Sequence, residues 1–165
     1  MSLAPAAAAV AVLLSCPGLV APVPGPVVRY FEPTGAYSGH WGVDLAAPVG
    51  SPVTAASPGS VTFAGSVAGM RSVTVDHGGG VKTSYSYLSR IDVTRGDRVA
   101  QGDVVGLSGL DHGRQALHFS VRLRDVYQDP LAWLGCLEDP RDGLALLPRQ
   151  PMPVPVSAPG RQRGP

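Results

Sequence analysis

Cysteine, lysine and charge are all scarce in this chain, and each scarcity removes a class of function. Only two cysteines occur in the 165 residues, Cys16 and Cys136. Neither sits in a C-x-x-C pair, so a cysteine-based zinc finger is excluded. Lysine occurs once, at Lys82, among 13 basic residues, which we read as a coding bias toward arginine. Charged residues make up 15% of the chain and the net charge is +1, which gives no reason to expect nucleic acid as a partner.

The N-terminus lacks charge altogether: residues 1–25 carry none. The apolar run Ala6 to Leu14 has the length of a secretory signal core and is too short to span a bilayer. No positive n-region precedes it. We expect export, with residues 1–21 as a signal-like segment cleaved after Ala21. Leu13-Leu14-Ser15-Cys16 resembles a bacterial lipobox, which offers a lipid anchor at Cys16 as a second outcome. A Cys16–Cys136 disulfide would require Cys16 to survive that processing.

Glycine and proline are abundant instead, at 21 and 17. They favour short strands and many turns over long helices. After a linker at 22–26, Val27 to Phe31 reads as a first strand. Pro52 to Ala56, Ser60 to Ala64 and Ser72 to Asp76 follow, and His77-Gly-Gly-Gly80 turns the chain into a return strand, Val81 to Leu88. In Val93 to Val99 and again in Ala100 to Gly106, a Gly-Asp pair makes a turn in which Asp caps its own backbone. Leu117 to Leu123 alternates, with His118, Ser120 and Arg122 on one face and Leu117, Phe119 and Val121 on the other. Asp129-Pro130 caps a short helical turn that ends at Leu134. The pattern predicts an all-β domain over 27–135, a small antiparallel β-sandwich or barrel with a short C-terminal helical turn. The tail, 136–165, is Pro/Gly-rich and without periodicity, and is expected to be disordered.

The stretch that carries chemistry is Gly39-His40-Trp41-Gly42-Val43-Asp44. His and Asp four apart lie on one side of a strand or helical turn, and both are good zinc ligands. The pair alone says little; it needs a third ligand. Taken in order, His40-x-x-x-Asp44, Pro52-Val-Thr-Ala-Ala, Val73-x-Val-x-His77, Tyr85-x-Tyr87-Leu88, Gly96-Asp-x-Val, Gln101-Gly-x-Val-Val-Gly106 and Leu117-His118-Phe119 resemble the lysostaphin-type (LytM-like) zinc endopeptidases. The resemblance spans roughly residues 27–134. It implies an exported, cell-envelope enzyme, most simply a monomer, that cleaves peptide cross-links of bacterial peptidoglycan. It also implies a Zn ion held by His40, Asp44 and His118.

Two positions depart from that family's pattern. The first His of its His-x-His motif is Ala116 here, and the His of its Tyr-x-His-Leu segment is Tyr87. Tyr87 can donate a hydrogen bond to an oxyanion but is a poor base at neutral pH. His112, in the loop before the last strand, is the candidate replacement base, against a simpler reading as a solvated loop histidine. His77 is expected near the site in a structural role. Two readings stay open: a peptidase of reduced activity, or a non-catalytic module that binds peptidoglycan or regulates another hydrolase. A biotinyl- or lipoyl-type carrier is a minor third, since Lys82 begins a strand rather than tipping a hairpin.

Overall fold

A computed structural model of the chain describes residues 18–35 and 38–134. The lipobox-like segment, both cysteines and the C-terminal tail lie outside the described residues. The elements, in chain order, are β1 (Val27–Arg29), β2 (Glu32–Pro33), β3 (Gly39–His40), β4 (Val43–Ala46), β5 (Pro52–Thr54), β6 (Gly59–Val67), β7 (Met70–Asp76), β8 (Val81–Ser86), β9 (Leu88–Ile91), β10 (Arg98–Val99), β11 (Val104–Ser108), β12 (Leu110–Asp111), β13 (Arg114–Leu123), β14 (Val126–Gln128) and α1 (Leu131–Leu134).

The main sheet runs β1-β4-β13-β8-β7-β6-β10, with β12 and β14 also paired to β13. A second sheet, β5-β11-β9, packs with it, and β2 pairs β3. Every pairing is antiparallel, as the all-β expectation requires. The alternation of β13 decides which face is which. Leu117, Phe119 and Val121 are fully buried and meet Val43, Val73, Val75, Tyr85 and Val105 in the core. His118 and Ser120 lie on the other face, which is therefore free to carry a site.

The turns follow the expected chemistry. Asp97 accepts from Thr94 N–H at 2.8 Å and Asp103 accepts from Ala100 N–H at 2.7 Å, so the two Gly-Asp turns are built alike. Asp129 accepts from Leu131 N–H at 3.0 Å and caps α1.

Three features differ from the expectation. The first strand stops at Arg29, and Glu32–Pro33 pairs instead with Gly39–His40. The last strand continues into a hairpin with β14. Its turn residues, Arg124 and Asp125, have φ of 50° and 65°, a primed turn built without the usual glycine. The segment read as the end of a leader and a linker packs on the domain. Leu19 and Val23 are 1% and 3% exposed, Val20 N–H donates to Ala56 O, and Thr54 N–H donates to Pro22 O. Its prolines prevent a regular strand, but its apolar side chains still seal the edge of the core.

Candidate metal centre

The site begins with two glycines. Gly39 has φ of 92°, and a β-carbon there would stand 2.3 Å from Glu32 O. Glycine thus lets β3 close on β2 and bring His40 inward. A β-carbon at Gly42 would stand 2.7 Å from His118 Cε1 and 2.5 Å from Phe119 O. Glycine here makes room for the ring of a residue far away in sequence. Asp44 and His118 are directly opposed on neighbouring strands, so their side chains share a face.

These constraints bring three donor atoms together. Asp44 Oδ1 is 2.9 Å from His40 Nε2 and 2.9 Å from His118 Nδ1, and the two nitrogens are 3.0 Å apart. His40 Nδ1–H donates to Tyr30 O at 2.6 Å, which leaves Nε2 with its lone pair toward the others. A neutral His118 with its proton on Nε2 likewise presents a bare Nδ1. With both histidines neutral in these tautomers, three acceptors face one another where His40 and Asp44 are buried, an arrangement that a bound cation would satisfy. A tetrahedral zinc with ligand distances of about 2.0–2.1 Å needs donor atoms ~3.3 Å apart, within a few tenths of what is present. Asp44 Oδ2 is buried without a hydrogen bond, a further mark of a carboxylate shaped for an ion. Arg114 comes within 3.6 Å of it. Burial pushes the Asp44 carboxyl up, but when the two rings are protonated instead, the His118 hydrogen bond, the neighbouring Asp111 and the charges of His40 and His118 prevail and hold it at about 2. The residues fit a zinc ion.

His40 and His118 line a groove of about 440 Å³ on the outer face of the main sheet. Tyr87 and His112 line it as well, and both hold left-handed backbone, with φ of 65° and 48°. Such conformations are costly for residues with a side chain and cluster at functional sites. His112 Nδ1 lies 2.5 Å from Asp111 Oδ1 and 3.3 Å from the Tyr87 hydroxyl. Asp111 is 2% exposed and was not singled out from the sequence. It holds the imidazole by Nδ1 and leaves Nε2 free. Burial raises the Tyr87 phenol pKa, with the charges of Asp111 and Asp44 adding to the rise, so it keeps its proton. Ala116 is buried and contributes only a methyl group. His77 stands apart from all of this: its ring nitrogens bond Pro58 O and Thr83 Oγ1, on the core side of the sheet.

The sequence profile of peptidase family M23 matches residues 38–130, more than half of the chain. The chain belongs to peptidase family M23. Peptidases of the M23 family use zinc and act on peptidoglycan. Among this M23 chain's relatives is the DD-carboxypeptidase/endopeptidase Mpg of Neisseria meningitidis, 36% identical over 97 residues. That alignment covers 56% of this chain and 22% of the relative. The lipoprotein NlpD/LppB homolog of Pseudomonas aeruginosa is 33% identical over 68% of this chain and 38% of its own length. The chain thus spans well under half of either relative. Among solved structures, lysostaphin from Staphylococcus simulans superposes with a TM-score of 0.57 at 30% identity, over 67% of this chain and 49% of lysostaphin. The lysostaphin-type resemblance and the fold it implied are both correct.

Proposed function

We propose that this M23 chain is an exported zinc endopeptidase that cleaves peptide cross-links of bacterial peptidoglycan. The observation that carries the reading is the mutual approach of His40 Nε2, Asp44 Oδ1 and His118 Nδ1 to 2.9–3.0 Å beside an open groove that both histidines line. Zinc bound by them supplies a Lewis acid for the scissile carbonyl and lowers the pKa of water to about 7. The chain's own groups do the rest. His112, oriented by Asp111 through Nδ1, accepts the water proton at Nε2 and returns it to the leaving amine. Tyr87, protonated through the neutral range, donates to the oxyanion. Ala116 adds nothing to proton transfer, so turnover is slow for the family.

Export fits a substrate outside the cytoplasm, and the relative named a lipoprotein supports a lipid anchor at Cys16. We take the domain to act as a monomer.

A second reading rests on Ala116 and Tyr87, which stand where the lysostaphin-type pattern carries histidines: a module that keeps zinc and the groove but only binds peptidoglycan or regulates another hydrolase. Hydrolysis by the zinc-loaded wild type separates these readings, and two experiments test the roles assigned to the residues. Metal analysis is expected to find one zinc per wild-type chain and almost none in Asp44→Ala; a wild type refolded with zinc that retains no metal would refute the ligand set. His112→Ala is expected to lose hydrolysis while keeping zinc, by a factor of about 10²–10⁴ for a general base. Undiminished hydrolysis in that variant removes His112 from the mechanism.

A further inference from the structure

The residues of the candidate centre belong to a row that crosses the main sheet. Arg29 on β1 opposes Asp44 on β4, Asp44 opposes His118 on β13, His118 opposes Ser86 on β8, and Ser86 opposes Ser72 on β7. Directly opposed residues share a sheet face and neighbouring strands lie about 4.8 Å apart, so this row runs across the strands beneath the groove. Arg29, His118, Ser86 and Ser72 all line it.

The row is chemically lopsided. On one side of the donor triangle lie hydroxyls that already bond each other: Ser72 Oγ donates to Ser86 Oγ at 3.0 Å, and Thr74 pairs with Ser84 at 2.9 Å in the next row. On the other side stands Arg29, the one arginine or lysine among the described residues that line the groove. It is exposed, and among the described residues its guanidinium has no hydrogen bond and no ion pair. The nearby acids do not use it. Asp44 and Asp111 are approached by Arg114 instead, at 3.6 and 3.9 Å. Arg29 is still close enough for its charge to act on the Tyr87 phenol. A guanidinium is a rigid fork matched to a carboxylate, and at the mouth of a site it selects ligands that carry one.

We propose that Arg29 is a specificity-determining residue that binds a free carboxylate of the peptide substrate beside the scissile amide. This rests on the peptidase reading of the groove and adds which peptides enter it and which way round. The carboxylate lies toward β1, and the uncharged part of the peptide lies over the hydroxyl floor of β8 and β7. Peptides with a free carboxylate next to the bond are preferred over their carboxamides.

The test compares soluble muropeptide dimers with the same dimers after amidation of their carboxylates. Binding to zinc-loaded full-length protein is measured by calorimetry, and hydrolysis by chromatography. Wild type is expected to bind the free acids about tenfold more tightly than the amides, the size of one good charge-assisted pair. Arg29→Gln is expected to lose that preference while holding zinc as wild type does, and Arg29→Lys to recover part of it. Equal binding of acids and amides by wild type, or a preference that survives in Arg29→Gln, overturns the assignment. Preferential binding without any hydrolysis keeps the assignment and removes the peptidase reading, so the two fail separately. Binding of neither dimer overturns it as well.

Discussion

Gly42 lies directly under the His118 ring. A β-carbon on residue 42 would stand 2.7 Å from Cε1 and 2.8 Å from Nε2 of a side chain 76 positions later. The glycine inside the His40–Asp44 stretch therefore seats the third ligand as well as shaping its own turn. Gly42→Ala is expected to turn the His118 ring away and weaken zinc affinity about 10–100-fold, the usual cost of disturbing what orients a ligand. Competition with a chromogenic chelator measures this. The clash with Phe119 O is with backbone, so the melting temperature is expected to fall too.

The N-terminal strap makes a second prediction. Leu19 is 1% exposed, and cleavage after Ala21 would remove it together with the Val20–Ala56 hydrogen bond. A chain lacking residues 1–17 is the reference for denaturant unfolding. One lacking residues 1–21 is expected to lose about 2–5 kcal/mol, the cost of emptying a buried leucine site. Equal stability of the two truncated chains would show that the strap contributes nothing. The same measurement bears on processing, because cleavage before Cys16 keeps Leu19 and cleavage after Ala21 does not.

His77 sets a pH dependence that has nothing to do with the site. Burial holds its pKa below 6.5, against partial opposition from the Pro58 carbonyl and Asp76. Below pH 6.5 the unfolded chain binds a proton that the folded chain resists, so this contribution is full above 6.5 and is lost on acidification from there toward the folded pKa. Stability is expected to fall over that window, and His77→Gln is expected to flatten the fall. Urea melts between pH 5 and 8 report both.

Much of this was legible in the residues. Alternation along Leu117 to Leu123 marked His118 as facing away from the core, and the order of short motifs supplied the family that joins it to His40 and Asp44. Other parts left little trace. The hairpin turn at Arg124–Asp125 carries no glycine, so nothing marked its left-handed backbone. Leu19 and Val23 sit among prolines and small residues, a composition typical of leaders and linkers, and only packing reveals them as core. His112 stood out as a loop histidine. That Asp111 beside it is buried and holds Nδ1 depends on β12 folding onto β13, which spacing does not encode. Arg29 gave no signal because a lone arginine in a strand is ordinary until its neighbours across the sheet are known.

The most direct test incubates the protein with purified peptidoglycan, with zinc added or with a chelator, and looks for released muropeptides. The account predicts release that depends on zinc, stops with chelator and is absent in Asp44→Ala. Tight binding to peptidoglycan with no release under any metal condition would contradict it.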